Sequence, residues 1–281
     1  MHGSIAANRA VDRADLIIAL GARFSDRVAL NPEKFGKKAH KIQVDIDTSE
    51  INKNVLVDVG ISADIKEFLT ALLPLIKKND HADWVSQSTE WKKKTGDVKS
   101  QDAELHPSEI IQSICDMTDK ETIYVTDVGQ HQMWAAQHLK IQFARQWLTS
   151  GGLGTMGFGL PAALGAQLAR PQSRVISISG DGGFKMTGRE LFTIASNNVP
   201  VIAIVFNNSG LGMIRQLQTV QFAKRFTACE LPGYVDFVKY AAAFGIEGEH
   251  ADTPDALAQA VDKAWERRKP YLIEVCVNPK N

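Results

Sequence analysis

Residues 174–183 (RVISISGDGG) and 199–210 (VPVIAIVFNNSG) decide the fold of this chain. Each segment starts with apolar, mostly β-branched residues and ends in glycine, aspartate or asparagine, a pattern typical of a strand buried on both faces of a parallel sheet. The carboxyl ends of parallel strands meet along one edge of the sheet. We therefore predict that Asp181 and Asn208 lie close together at that edge.

The polar residues at that edge have the composition of a metal and phosphate site. The Asp181 carboxylate and the Asn208 amide oxygen suit magnesium, which also keeps water and substrate phosphate oxygens in its shell. Gly182 and Gly183 leave room for a diphosphate and present backbone amides to it. Each motif alone is better explained as a tight turn, because Gly, Asp and Asn dominate turns. Their combination, at matching strand ends, favours the binding site.

Strands alternate with helices through the larger, carboxyl-terminal part of the chain, which predicts an α/β fold with a doubly wound parallel sheet and helices on both faces. The predicted strands are 122–127, 174–179, 199–206 and 271–277. The predicted helices are 107–117, 132–138, 160–169, 189–197, 234–244 and 254–267. Thr187 and Glu190 fit a capping box, which places the start of a helix just beyond the GDGG segment.

Two domains and a linker are predicted. Residues 14–21 and 41–47 have the pattern of buried strands and residues 63–76 that of a helix, too few elements for a complete doubly wound sheet. Residues 1–76 are therefore expected to be part of a Rossmann-like domain whose beginning is missing. Residues 77–104 are polar and lysine-rich and are predicted to form a helix and a linker. Residues 105–281 are predicted to form the diphosphate-binding domain.

Composition excludes several classes of partner. Lysine plus arginine and aspartate plus glutamate both number 32, so charge gives no support for nucleic-acid binding. The longest apolar run, 199–206, is far too short to span a bilayer, and the first residues lack a signal-peptide pattern. The 3 cysteines are far apart without metal-ligand spacing, which suits a reducing compartment. We expect a cytoplasmic protein that binds neither membranes nor nucleic acid.

A second phosphate motif competes with the first. Gly152-Leu-Gly154-Thr-Met-Gly157 matches the G-x-G-x-x-G dinucleotide fingerprint, and Asp181 could then contact a ribose. That fingerprint requires a strong apolar strand immediately before it, and residues 143–150 (FARQWLTS) make a poor one. Alternatively, the glycines only permit close packing of helix 160–169.

The order Gly-Asp-Gly, helix, buried strand, Asn-Asn resembles the signature of thiamin-diphosphate enzymes. Residues 128–137 (VGQHQMWAAQ) and 150–167 (SGGLGTMGFGLPAALGAQ) more specifically resemble the catalytic subunit of acetolactate synthase, also called acetohydroxyacid synthase. The resemblance covers nearly all of the chain. Residues 2–23 and 45–64 are similar to the segments that line FAD in the middle domain of that family, with Ala63 where glycine is expected.

The resemblance implies thiamin-diphosphate-dependent decarboxylation of pyruvate and transfer of the two-carbon unit to a second 2-oxo acid, in branched-chain amino-acid or acetoin synthesis. It implies that Asp181, Asn208 and the carbonyl of Gly210 bind Mg²⁺. Leu217 stands where biosynthetic members usually carry tryptophan, and it is implied to influence the choice of the second 2-oxo acid. The residues implied to contact the cofactor are Val128, Gly129, Gln130, His131, Gly154, Met156, Asp181, Gly182, Gly183, Asn208, Leu211, Gly212 and Met213.

The activating glutamate of the family belongs to the amino-terminal domain of a neighbouring subunit, and no residue here matches it. We expect about half of a catalytic subunit that forms a homo-oligomer and works only when an amino-terminal portion is supplied as another chain. A regulatory subunit is a further expected partner. Two alternatives stay open, a folded fragment that binds the cofactor without catalysis and another thiamin-diphosphate 2-oxo acid decarboxylase. FAD binding by this chain, its acceptor preference and its anabolic or catabolic role also stay open.

Overall fold

A computed structural model describes residues 3–94, 106–233 and 235–278. The chain divides into two compact units, residues 1–97 and 98–281. The predicted boundary at Leu105, residues 95–104 of the predicted linker and Tyr234, the first residue of a predicted helix, lie outside the described residues. The domain boundaries therefore stay predictions.

The first unit contains a three-stranded parallel sheet in the order β1-β2-β3. Its strands are β1 (Leu16–Leu20), β2 (His40–Asp45) and β3 (Val59–Ser62), and its helices are α1 (Ile5–Arg13), α2 (Ile65–Leu72) and α3 (Ala82–Lys94). Strand β3 was not predicted, because it has four residues, includes Gly60 and is mostly exposed. Helix α2 ends before the predicted Ile76, since Pro74 lies in a 3₁₀ turn that follows it.

The second unit is built on a six-stranded, all-parallel sheet in the order β5-β4-β6-β7-β9-β8. Its strands are β4 (Ile123–Thr126), β5 (Trp147–Thr149), β6 (Val175–Gly180), β7 (Val201–Asn207), β8 (Glu247–His250) and β9 (Tyr271–Cys276). Its helices are α4 (Pro107–Met117), α5 (Gln130–His138), α6 (Gly159–Ala169), α7 (Asp181–Thr187), α8 (Leu191–Ser196), α9 (Gly212–Gln221), α10 (Phe237–Ala242) and α11 (Pro254–Arg267).

Two hydrophobic clusters cover the two faces of this sheet. Residues of α4, α5 and α11 pack on one face, and residues of α6, α7, α8 and α10 pack on the other. Strand β7 is buried along its whole length, as its apolar sequence from Val201 to Phe206 requires. The predicted α/β fold with a parallel sheet and helices on both faces is confirmed. Along the described ranges, no helix is both long and apolar enough to cross a membrane.

The capping-box prediction is wrong. Helix α7 begins at Asp181, so Thr187 ends this helix and a 3₁₀ turn, Gly188–Glu190, leads into α8. The Thr187 hydroxyl donates to the carbonyl of Gly157 at 2.9 Å and does not cap a helix. The Asp181-Gly182-Gly183 segment is therefore the first turn of a helix, with its backbone amides near the strand end.

Candidate functional site

Four chain segments meet at the carboxyl edge of the six-stranded sheet. They are residues 127–131, 150–159, 180–183 and 207–213, which begin at or directly after the ends of β4, β5, β6 and β7 in turn. Strand β4 lies between β5 and β6, and β6 pairs with β7 up to Gly180 opposite Phe206. All predicted site residues except Leu217 lie on these segments.

Asp181 and Asn208 converge on one backbone amide. The N–H of Gly210 donates to Asn208 Oδ1 at 3.1 Å and also contacts the Asp181 carboxyl group. Asp181 is buried, and its Oδ2 accepts no hydrogen bond from the described residues. The carbonyl oxygen of Gly210 lies in the same turn and accepts from the N–H of Gly212 at 3.1 Å. Asp181, at the start of α7, and Asn208, in the turn after β7, therefore lie next to the same backbone amide.

Burial raises the pKa of Asp181 to about 6, although Lys185 and the amides of Gly182 and Gly210 favour its charged form. The cause is the loss of hydration, since removing water disfavours a carboxylate. A buried carboxylate with an unsatisfied oxygen is costly unless a cation or another donor approaches it. The arrangement is therefore suited to binding a cation.

Backbone hydrogen bonds hold the turn after β7 in place. Leu211 N–H donates to the carbonyl of Cys229 at 2.7 Å, and Leu231 N–H donates to the carbonyl of Ser209 at 3.1 Å. Ser209 adopts a left-handed conformation with φ of +55°, which is uncommon for a residue with a side chain. The segment around residue 230 thus clamps the turn that carries Asn208.

His131 lies in the first turn of α5, which begins at Gln130 and not at Gln132 as predicted. Its imidazole is buried, and burial lowers the pKa to about 4 although nearby Asp127 opposes the shift. The ring is therefore neutral at pH 7. Its Nε2 has no hydrogen-bond partner within the described part of the chain. A Cβ added at Gly180 would lie 3.0 Å from this ring, so the histidine packs directly beside the start of α7.

Gln130 connects α5 to the start of α9. A Cβ added at Gly212 would lie 1.9 Å from Gln130 Oε1 and 2.7 Å from Asn208 Nδ2. Gln130 Nε2 donates to Gln216 Oε1 at 3.5 Å. Met213 is the next residue on α9 and is half-buried. The glycine at position 212 therefore allows two polar side chains to meet where α9 begins.

Apolar side chains lie against the start of α7. A Cβ added at Gly182 would lie 2.7 Å from Leu211 Cδ2 and 3.5 Å from Met156 Cε. Gly154 precedes this methionine in an exposed turn, with φ of +74° and open space around it. Thus Met156 and Leu211, predicted from distant parts of the sequence, lie against the first turn of α7.

Asp127 belongs to this site, although it was not predicted as a site residue. Its buried carboxylate accepts from Val128 N at 2.6 Å, Gly157 N at 3.0 Å and Gly159 N at 2.9 Å. The available signal was an acidic residue directly after a buried strand, at the edge where site residues were expected. Gly129, with φ of 158°, and the half-buried Val128 lie between Asp127 and α5.

These contacts argue against the dinucleotide interpretation of the glycine segment. The amides of Gly157 and Gly159, at the start of α6, already donate to a carboxylate, so a second anion would meet repulsion there. The preceding strand β5 has only 3 residues and lies at the edge of the sheet. A Cβ added at Gly159 would lie 2.9 Å from Asp127 N and from Ser179 Oγ. These contacts favour the alternative interpretation, in which the glycines of residues 152–159 permit close packing of α6.

Leu217 lies farther along α9, outside this cluster. Its side chain is 42% exposed, and Ile214 and Val220 on the same helix are also exposed. The structure shows no contact that relates Leu217 to the buried cluster within the described residues. Its effect on the second substrate stays a prediction.

Comparisons with known proteins match both parts of the chain to one enzyme family. Residues 127–275 match the model of the C-terminal TPP binding domain of thiamine pyrophosphate enzymes, and residues 1–72 match their central domain.

The chain is 39% identical, over its whole length, to a probable acetolactate synthase large subunit of Methanococcus aeolicus, of which it covers 50%. It is 43% identical over 99% of its length to the acetolactate synthase large subunit of Lactococcus lactis, covering 48%. It is 39% identical over 99% to acetolactate synthase isozyme 2 large subunit of Escherichia coli, covering 50%. The chain spans about half the length of the curated relatives it matches.

Proposed function

Because the chain belongs to the thiamine pyrophosphate enzyme family, we propose that its second unit binds thiamin diphosphate and Mg²⁺ at the carboxyl edge of the six-stranded sheet. We further propose that it does so as part of an acetolactate synthase, the activity named for its relatives. That enzyme would remove carbon dioxide from pyruvate and transfer the remaining two-carbon unit to a second 2-oxo acid.

The convergence of Asp181 and Asn208 on the amide of Gly210 carries this proposal. A buried carboxylate with one unsatisfied oxygen, beside an amide oxygen, is an oxygen-rich and anionic site. Mg²⁺ prefers such ligands and completes its shell with phosphate oxygens and water. Asp181, Asn208 and the Gly210 carbonyl are therefore proposed to hold the metal. A bound Mg²⁺ would also remove the cost of burying the Asp181 charge.

The residues around this metal position fit a diphosphate. Gly182 and Gly183 lie in the first turn of α7, where backbone amides are free of partners in the preceding turn. His131 is neutral and buried beside them, and Gln130 reaches the same place from α5. We propose that these four residues, with the backbone at Val128, Gly129 and Gly212, hold the diphosphate and its bridging metal.

The apolar residues would contact the organic part of the cofactor. Met156 and Leu211 lie over the first turn of α7, and Met213 and Gly154 are proposed to border the aminopyrimidine. Thiamin diphosphate supplies a thiazolium ring that accepts the electrons left when carbon dioxide departs. The chain's own contribution is to orient that ring against the substrate and to exclude water from it.

Calorimetry with thiamin diphosphate, with and without Mg²⁺, tests the proposal on the 281-residue chain. We expect binding only with Mg²⁺, and we expect Asp181→Ala to abolish that metal dependence. Asp262→Ala, an exposed aspartate on α11, is the matched control and should bind like the parent. If Asp181→Ala keeps the parent affinity, the metal assignment is wrong.

The isolated chain is proposed to make acetolactate only at trace rates. No glutamate in it matches the residue that activates the cofactor in this family, and general acid-base help is typically worth about 10²- to 10⁴-fold. Full turnover by the purified chain would contradict this. If turnover stays at trace level after an amino-terminal portion from a relative is added, the non-catalytic alternative is favoured.

Further partners are proposed from the relatives and from the first unit. The relatives in Methanococcus, Lactococcus and Escherichia are named large subunits, so we propose a homo-oligomer with a separate, smaller regulatory partner. FAD would belong to the complete central domain, and we expect little of it on this chain, since three strands offer only part of a doubly wound cleft. A stoichiometric yellow cofactor after purification would contradict that. The cytoplasmic location and the biosynthetic pathway stay predictions.

A further inference from the structure

Glu274 is a fully buried acidic residue on β9, the strand that pairs with β7. Its Oε1 accepts from Asn207 Nδ2 at 2.6 Å, and its Oε2 accepts from the backbone N–H of Phe237 at 3.0 Å. Both oxygens therefore face N–H donors. Burying an acidic side chain is costly unless it is well paired, so this position calls for an explanation beyond packing.

Asn207 links this carboxyl group to the turn that carries Asn208. Its amide nitrogen donates to Glu274, while its Oδ1 accepts from Ser209 N–H at 3.0 Å. Its backbone is held as well, because Val277 N–H donates to the Asn207 carbonyl at 3.0 Å. With its nitrogen committed to Glu274, the Asn207 side chain can present only its oxygen to Ser209.

We propose that Glu274 is a positioning residue for the metal-binding turn, acting through Asn207. The inference rests on the proposed function, in which Asn208 and the Gly210 carbonyl bind Mg²⁺. Glu274 fixes which way the Asn207 amide points, the Asn207 oxygen holds Ser209 in its left-handed conformation, and this conformation directs the neighbouring Asn208 and Gly210 oxygens toward Asp181.

A chain of polar contacts holds Glu274 from the side opposite the turn. His250 Nδ1 lies 3.4 Å from Glu274 Oε2, and His250 Nε2 lies 3.5 Å from Asp236 Oδ1. Asp236 also caps α10 by accepting from Lys239 N–H at 2.9 Å. Since each nitrogen of His250 faces a different carboxyl group, the cluster is better explained as a support for Glu274 than as a metal site.

The hydrogen-bond pattern specifies a carboxyl group at position 274. In Glu274→Gln, one of the two oxygens becomes an NH₂ group that faces either the Phe237 amide or the Asn207 amide, both of which are donors. The contact between two donors is relieved when the Asn207 side-chain amide rotates by about 180°, so that its oxygen faces position 274. The Ser209 N–H then loses its acceptor, Asn207 Oδ1. The reverse change, Asn207→Asp, places two carboxyl groups against each other.

The double variant Asn207→Asp with Glu274→Gln reverses the direction of the hydrogen bond between positions 207 and 274 and again places a donor opposite each acceptor. The new glutamine nitrogen donates to the new aspartate, its oxygen still accepts from Phe237 N–H, and the aspartate still accepts from Ser209 N–H. A direct role of Glu274 through Asn207 therefore predicts rescue by the double variant.

The experiment measures the Mg²⁺ concentration needed for half-maximal thiamin-diphosphate binding by the 281-residue chain, together with its thermal unfolding. Glu274→Gln should need about tenfold more Mg²⁺, the effect of one weakened hydrogen bond to a charged group. The double variant should return close to the parent requirement. Leu257→Ala, which removes a buried side chain of α11, should lower the unfolding temperature without changing the Mg²⁺ requirement.

The outcomes separate the two proposals. Absence of Mg²⁺-dependent binding by the parent chain would overturn the proposed function and this inference with it. Parent binding with an unchanged Mg²⁺ requirement in Glu274→Gln would overturn only the positioning role, as would an equal change in Leu257→Ala. If Glu274→Gln does not fold, the double variant decides, since a folded double variant that still needs tenfold more Mg²⁺ overturns the inference.

Discussion

Gly183→Ala tests whether the Asp127 carboxylate is a rigid part of the site. A Cβ at position 183 would lie 2.6 Å from Asp127 Oδ1, 2.8 Å from Cγ and 3.2 Å from Oδ2. The carboxylate would have to retreat by about 1 Å to reach ordinary van der Waals separation. It cannot retreat freely, because the amides of Val128, Gly157 and Gly159 all donate to it.

The expected cost follows from three terms. Overpacking costs about 1–3 kcal/mol, and weakening one hydrogen bond to a charged group costs about 1.5–3 kcal/mol. Alanine is more favourable than glycine in a helix by about 1 kcal/mol, which offsets part of this loss. We therefore expect Gly183→Ala to lower the free energy of unfolding by about 2–4 kcal/mol.

Urea denaturation measures this loss as a lower midpoint at an unchanged slope. The control is Gly165→Ala on α6, where an added Cβ meets nothing within 4 Å, and which should gain up to about 1 kcal/mol from helix propensity. If Gly183→Ala is as stable as Gly165→Ala, Asp127 is not held by the three amides as described.

Three further predictions follow from the site. In Asp127→Asn an NH₂ group would face backbone amides, so the unfolding free energy should fall by about 2–3 kcal/mol; a thermal unfolding curve like that of the parent would contradict this. The folded chain protonates Asp181 at a pKa of about 6, raised from 3.8, so at neutral pH the charged group lowers stability and this penalty disappears as pH falls toward 4. Asp181→Asn should therefore stabilise the metal-free chain by on the order of 2 kcal/mol at pH 7.5 and by much less at pH 4; equal gains at both values would refute the raised pKa. In a reconstituted complete enzyme supplied with pyruvate and 2-oxobutyrate together, Leu217→Trp should raise the acetohydroxybutyrate share, by about 1–3 kcal/mol of discrimination at most, and an unchanged share would remove Leu217 from acceptor selection.

Sequence patterns predicted the elements that are buried on both sides. Strands β6, β7 and β9 were recognised because parallel strands inside a sheet must be apolar throughout. The edge strand β8 reads Glu-Gly-Glu-His and carries no such pattern, because one side of it faces solvent and its backbone alone makes the pairing. Its stability comes from β9, which a local pattern cannot reveal.

Local patterns also misplaced the helix starts at the site. Helices α5 and α7 begin immediately at Gln130 and Asp181, where glycine-rich sequence predicts a loop. In both places the glycine is needed for close packing, since the His131 ring lies against Gly129 at the start of α5 and the Asp127 carboxylate against Gly183 at the start of α7. Glycine thus had two explanations from the sequence, and only the packing of distant residues decides between them.

The buried carboxyl groups were the hardest to predict for the same reason. Asp127 accepts from residues 30 and 32 positions away, and Glu274 accepts from residues 67 and 37 positions away. Each acid is buried only because it accepts hydrogen bonds from backbone or amide donors that other elements bring to it. A sequence pattern identifies Asp181 and Asn208, whose role depends on the strands they follow, but it does not identify the acids that hold the turns around them. Variants at Asp127 and Glu274 therefore test the structure at the points where the sequence is least informative.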